Sequence, residues 1–564
     1  MALCAMLVSA PTIAAPVSAA ASKLDAALRG HASSANPPSH VRVIIQVDPS
    51  ARSAAKRTIA AMGGALQYEH PVISALTVDV PTAALHGLES LPGVSSVSLD
   101  TPVAATSVTP STGAVLKQSL GFAPKLNGYT GSGVGVAVID SGIAPLADFS
   151  GRIKAFYDFT RGGIATAPSD QYGHGTHVAG LIGGSGAMSR GTYSGVAPGV
   201  SFIGLKVLDS TGQGNTSDVV AAIEFATLNR RALGINIINL SLGHPPLESA
   251  ATDPMVIAVQ KASAAGIVVV VAAGNVGVNA STGRSAYGGI MTPGNAPSAI
   301  TVGAVNTAGT STRSDDSIEP FSSRGPTWYE QSAKPDLVAP GQDLVAPVAS
   351  NSYLAAKYSA RDIATSGGTY MRLTGTSMSA AVVSGSVAIL LQVSSKQSPG
   401  NPVLTPNTVK AILEYTADRL ADPATLVEYD RMTQGAGEVD ILGASYLTAA
   451  INTAAPVGQK WVTIDLAPYN TKWSKTVTWG STDVVGDAMY RNTALWSQGM
   501  VWGENIVWAE NIVWAENIVW AENIVWAENI VWAENIVWAE NIVWSENIVW
   551  SENIVWSENI VWSE

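Results

Sequence analysis

The chain has 564 residues, more than one ordinary core accommodates, so several regions are expected. Charged residues are only 13% of it, against a background rich in Gly, Ala, Ser and Val, which excludes a disordered chain and suits a compact α/β protein. The formal net charge of −12 offers no basic footprint for nucleic acid, and nearly all of it comes from glutamates recurring every sixth residue from Glu504 to Glu564.

In chain order, Met1 to Val8 are apolar and lead to Ser18-Ala19-Ala20-Ala21-Ser22. Residues 1–22 therefore read as a secretory signal with an Ala-x-Ala-like cleavage site, although a basic n-region is missing. This places the protein outside the cell. Cys4 is the only cysteine, so no disulfide can form within the chain. No later run reads as long enough to span a membrane.

Residues 38–103 show a small α/β pattern. Val41 to Val47 is a predicted strand and Ser50 to Ala61 a helix. Strand-like runs follow at Leu66 to Tyr68 and Ile73 to Val80, then a short helix opened by Pro81 and a strand at Val94 to Ser98. The order β-α-β-β-α-β is a known supersecondary unit. A linker, 104–128, begins with the Ser/Thr/Ala/Pro-rich stretch Ala104 to Gly113.

From 129 to 450, buried strands alternate with helical windows. The strands are Val134 to Ile139, Ile203 to Leu208, Ile235 to Leu240, Ile267 to Val271 and Ile300 to Val305. Helices are predicted at Ser217 to Leu228, Pro254 to Ala264 and Ala381 to Val393. Near-continuous apolar strands alternating with helices imply a mainly parallel sheet covered on both faces. Functional groups in such sheets gather at the carboxyl ends of the strands.

Asp140 ends the first of these strands, before a Ser141-Gly142 turn. His174 stands at the start of a small-residue helix in Gly173-His174-Gly175-Thr176-His177, where glycines permit close approach. His177 reads as a packed structural side chain. Ser377 lies in the first turn of an apolar helix in Gly375-Thr376-Ser377-Met378-Ser379-Ala380, with the helix dipole behind it. Its own N–H and the Asn275 side chain, at the end of the Ile267 strand, are candidate oxyanion donors. A nucleophile, a base, a group orienting the base and oxyanion donors are what serine hydrolysis of a peptide requires.

Val138 to Gly142, His174 to Gly180 and Gly375 to Ala380 resemble the three signatures of the subtilases, in the family's order Asp, His, Ser. Phe321 to Gly325 and Lys334 to Gly341 also resemble family segments. The resemblance implies a secreted serine endopeptidase with a subtilisin-like three-layer fold, working through an acyl-enzyme on polypeptide substrates. It implies Asp140, His174 and Ser377 as the triad and Asn275 with Ser377 as the oxyanion hole. Ser241, Leu242 and Gly243 would line the primary pocket opposite Ala272, Ala273 and Gly274. Small, apolar walls suggest apolar or aromatic side chains before the cut. The unit at 38–103 resembles a ferredoxin-like propeptide that inhibits until removed between Asp100 and Tyr129. No cofactor is required, and structural calcium is implied by family analogy alone. The alternative is a surface-binding adhesin with an inactive protease-like domain.

After a linker region (451–492), residues 493–564 form a repetitive tail. From Asn505 there are ten copies of Asn-Ile-Val-Trp-(Ala/Ser)-Glu. At 100° per residue a six-residue step scatters Trp round a helix, whereas six is even in a strand, so β structure is predicted. In one continuous strand Ile, Trp and Glu would share a face. A stacked solenoid or strands pairing with other chains would bury the tryptophans, and the role of the tail is open between dispensable low-complexity sequence, anchoring to a cell surface, matrix binding and self-association.

Overall fold

The computed structural model describes residues 22–34, 36–105, 116, 120, 126, 128–397, 404–456, 459, 461–462, 472–479, 482–485, 505–506 and short strands between 515 and 560. The expected signal segment over residues 1–21, with Cys4 in it, and the Ser/Thr/Ala/Pro-rich stretch over 106–113 lie outside the described residues.

The N-terminal unit places β1 (His40–Val47), β2 (Ala65–His70), β3 (Ala75–Pro81) and β4 (Val94–Leu99) in one antiparallel sheet, in the order β2-β3-β1-β4. Helices α1 (Arg52–Ala61) and α2 (Leu85–Glu89) complete the β-α-β-β-α-β order. Val43, Ile45 and Val78 from the strands and Ile59 and Leu88 from the helices share one core.

The chain then does something the sequence reading missed. Part of the stretch read as connector is a strand, β5 (Pro102–Ala105). Its partners lie far along the chain, so no local pattern announces it.

The main sheet has nine strands. Its parallel body contains β6 (Gly135–Asp140), β7 (Ile153–Asp158), β9 (Ser201–Lys206), β11 (Ile235–Leu240), β13 (Val268–Ala272), β14 (Ile300–Asn306) and β16 (Leu337–Pro340), while β8 (Ile164–Ala165) and β15 (Ser317–Ile318) are antiparallel additions. The short β10 (Gln213–Asn215) and β12 (Leu242–Gly243) flank β5 in a separate three-stranded sheet.

Side chains alternate across a strand, and β6 shows how this builds two cores. Val136 and Val138 enter a cluster with Val178, Val382 and Leu390, from α3 (His174–Gly183) and α6 (Thr376–Gln397). Ala137 and Ile139 enter another, with Val220 and Ile223 of α4 (Thr216–Leu233) and Val256 and Val259 of α5 (Pro254–Ala264). Helices thus cover both faces, which is why the strands lack a polar side.

Helix α6 exceeds the apolar run seen in the sequence. Thr376 to Lys396 is long and apolar enough to cross a membrane, which corrects the expectation that no such run exists. However, 94% of that window is buried inside the fold, as befits a core helix.

In the tail the described repeats from 515 to 560 form separate short strands, such as Ala515–Ile518, that fall in different sheets. Ala515 pairs in parallel with Ala533 and Asn517 with Asn535, a step of 18 residues, or three repeats. The same step recurs from Ala521 to Ala539 and from Ala527 to Ser545, so successive repeats are dealt out among three sheets.

Candidate active site

The sheet's topology brings several strand ends to one edge. Asp140 is the last residue of β6, Ser241 follows β11, and Ala273-Gly274-Asn275 follow β13. Helices α3 and α6 start beside them, with His174 and Ser377 in their first turns. Asp140, His174 and Ser377 are therefore held on rigid elements, while Ser241 and Asn275 lie just past the ends of their strands.

Asp140 and His174 meet. His174 Nδ1 lies 2.8 Å from Asp140 Oδ1 and 2.9 Å from Oδ2, with both residues fully buried. Such contact requires glycine at the next position: a Cβ on Gly175 would sit 2.2 Å from the Gly142 carbonyl oxygen and 3.1 Å from Asp140 Cβ. Burial pulls the imidazole towards its neutral form, but the Asp140 charge and hydrogen bond outweigh it, leaving the His174 pKa above its ordinary 6.5. The opposite ring nitrogen, Nε2, has no hydrogen-bond partner although it is buried.

His177, one turn on, has a different environment. Its Nε2 is 3.0 Å from the carbonyl oxygens of both Leu344 and Met371, which fixes that nitrogen as a donor. Burial drives its pKa down to about 3, so it is a neutral packing residue.

Ser377 is fully buried, and its Oγ donates to the Ser241 carbonyl oxygen at 3.0 Å. Ser241 Oγ in turn donates to the Ser377 carbonyl oxygen at 3.0 Å, tying the end of β11 to the start of α6. Asn275 Oδ1 accepts from Thr376 N at 3.0 Å and from Thr376 Oγ1 at 2.9 Å. Its Nδ2 is left as a buried donor with no partner, beside the helix start that carries Ser377.

Two features were missed in the sequence. Asp170 is a fully buried carboxylate that accepts from Ser141 Oγ at 2.9 Å, Gly173 N at 2.7 Å, Thr176 N at 2.8 Å and Thr176 Oγ1 at 2.6 Å. It thereby clamps the turn after Asp140 to the start of α3. The signal was an acidic residue four positions before His174. Thr376 is the second: besides bonding Asn275, its Oγ1 accepts from Gly274 N at 3.2 Å.

The segments Ser241-Leu242-Gly243 and Ala272-Ala273-Gly274 stand near each other, joined by a crossing strand of backbone. Met291 N donates to the Ala273 carbonyl oxygen at 3.0 Å, and Thr292 and His244 exchange backbone hydrogen bonds at 2.9 and 3.1 Å. Strand β5 lies along this edge. Ala105 pairs with Leu242 and Ala104 with Gly243, while Val103 pairs with Gly214 of β10. Among the described residues, no group of three or more His, Cys, Asp or Glu side chains is disposed to hold a metal ion.

Comparison with known proteins shows which family the chain is similar to. The Subtilase family model matches residues 131–437. The serine protease AprX of Bacillus subtilis is 36% identical over 374 residues, covering 65% of this chain and 78% of AprX. Subtilisin E of the same species is 34% identical over 383 residues, covering 66% of this chain and 84% of that protein. The extracellular serine proteinase of a Thermus species is 35% identical over 349 residues, 61% of this chain and 70% of its own length. Among solved structures, fervidolysin of Fervidobacterium pennivorans, a keratinolytic enzyme related to subtilisin, superposes with a TM-score of 0.55 at 22% identity. That match covers 75% of this chain and 62% of fervidolysin, and it shows a shared fold.

Proposed function

Because this chain belongs to the subtilase family and is a subtilisin-like serine protease, we propose that Asp140, His174 and Ser377 form its triad and that Asn275 and the Ser377 N–H form its oxyanion hole. The observation that carries this reading is the buried imidazole, bonded to Asp140 through Nδ1 and bare at Nε2. Rotation of Ser377 Oγ away from the Ser241 carbonyl frees it for a substrate. As Oγ attacks the scissile carbonyl carbon, its proton passes to His174 Nε2. Asp140 stabilises the resulting imidazolium. Negative charge then develops on the former carbonyl oxygen, where Asn275 Nδ2 and the Ser377 N–H donate to it. Collapse breaks the C–N bond, and the imidazolium returns its proton to the leaving amine. A water molecule, deprotonated by His174, releases the acyl group and regenerates Ser377.

The N-terminal unit fits an intramolecular inhibitor that is later removed. Strand β5 occupies the edge where an extended substrate would pair, between β10 and β12. The same unit caps the start of α4: Asp100 accepts from Ser217 N and Ser217 Oγ, both at 2.8 Å, and also pairs with Arg42. Glu224 of α4 accepts from Val72 N at 2.8 Å and Ile73 N at 3.0 Å. The apolar N-terminal segment, together with a relative named as extracellular, supports secretion.

Purified Ser377→Ala protein should cleave no peptide while keeping the wild-type far-UV spectrum. It should also accumulate with residue 41 still attached. Residual proteolysis by that variant would defeat the assignment of the nucleophile.

A further inference from the structure

We propose that Met291 is the floor of the primary pocket and restricts the residue before the cut to a small side chain. Alanine, serine, threonine and valine fit, in place of the aromatic groups that the walls alone suggest. The proposal rests on the peptidase reading above and concerns only its selectivity.

The two walls end in glycines, and Met291 reaches both. A Cβ placed on Gly274 would lie 2.6 Å from Met291 Cγ and 2.9 Å from its Sδ. One on Gly243 would meet the Thr292 carbonyl oxygen first, at 2.4 Å, with Met291 Cβ 3.6 Å away. The thioether therefore packs directly on Gly274, and its stem stands opposite Gly243. Its backbone cannot withdraw easily, since Met291 N is bonded to Ala273 O and the next residue is bonded twice to His244. Ile290 and Thr292 on either side are fully buried, while Met291 itself is only partly so. Its side chain is therefore not sealed within the core.

Space taken by four heavy atoms of methionine is denied to a substrate side chain. An aromatic ring would have to displace the thioether or distort the glycine walls, and overpacking of this kind is unfavourable. A short side chain meets no such obstacle and gains apolar contact with the sulfur. The chain's own peptide in the cleft has the same character. Ala104 and Ala105, which pair with Gly243 and Leu242, are both small.

The test is a peptide library varied at the position before the cut, read as kcat/KM ratios on mature enzyme. Wild type should process Ala, Thr and Val at least about tenfold better than Phe or Tyr. Met291→Gly should raise the Phe-to-Ala ratio about tenfold or more, with Met291→Ala moving it in the same direction by less. Because a ratio is read, a general loss of activity in one variant does not mask the effect. Wild type that favours Phe or Tyr, or variants that cleave normally with an unchanged ratio, would overturn the role of Met291 while leaving the peptidase reading intact. Absence of cleavage of any peptide by wild type would overturn both.

Discussion

Asn275 offers the sharpest dissection, because its two amide atoms face different tasks. Oδ1 holds Thr376 N and Thr376 Oγ1 at 3.0 and 2.9 Å, bracing the helix start that carries Ser377. Nδ2 has no partner and is assigned to the reaction's oxyanion. Asn275→Ala removes both functions. The two lost hydrogen bonds should cost roughly 2 kcal/mol of stability in total, taking about 1 kcal/mol for each. The lost donor should lower kcat by ~10²–10³, or ~2.7–4 kcal/mol of transition-state stabilisation, a magnitude established on subtilisin itself. Asn275→Asp keeps the acceptor and replaces the donor with a negative charge facing the developing anion. Its kcat should fall at least as far as that of the alanine variant, with a smaller change in melting temperature. Steady-state kinetics on one good peptide and calorimetry on both variants measure the two effects separately. If Asn275→Ala keeps wild-type kcat, or loses efficiency through KM alone, Nδ2 is not an oxyanion donor and the reasoning fails.

The acid limb of kcat/KM should lie above pH 6.5, because the base must be neutral and Asp140 raises the His174 pKa over its ordinary 6.5. By linkage, that pair's contribution to stability is complete below the unfolded imidazole pKa and fades as pH rises through the folded one. Asp140→Asn should move the acid limb downwards, and an unmoved limb would contradict the assigned interaction. A third prediction concerns a buried ion network behind the sheet, where Lys410 Nζ lies 2.9 Å from Asp336 Oδ1 and Lys334 Nζ lies 2.7 Å from Asp336 Oδ2. Lys410→Met should cost ~3–5 kcal/mol in denaturant unfolding, since it strands carboxylates in the interior; a cost below about 1 kcal/mol would show that the network carries little stability.

The legible parts of the fold are those governed by local pattern. Strand β11 and helix α5 begin and end where the sequence places them, because an isoleucine-rich run just after Gly234 and a proline-led apolar helix need no tertiary information. Strand β5 was invisible: Pro102 to Ala105 are unremarkable until Gly214 and Leu242 arrive to pair with them. The site divides the same way. Asp140, His174 and Ser377 sit in distinctive small-residue settings at element ends, so each could be named before any coordinate. Asp170 and Met291 carry no such frame. The first matters because four donors from two separate segments converge on it, and the second because two glycines leave room for its side chain. The tail shows the reverse error. Period six indicated β structure, yet parity along one unbroken strand does not apply, since pairing links a repeat to the third one after it.

That three-repeat step gives the tail an unusual tolerance to changes in its length. With near-identical units and in-register pairing, the described pairings set Asn against Asn, Ile against Ile and Ala against Ala or Ser in each of the three sheets. Gain or loss of one hexapeptide rotates all later units to the next sheet, where Asn again meets Asn and Ile meets Ile. Copy number can therefore drift by single units, with no requirement for multiples of three and no mismatched layer left behind.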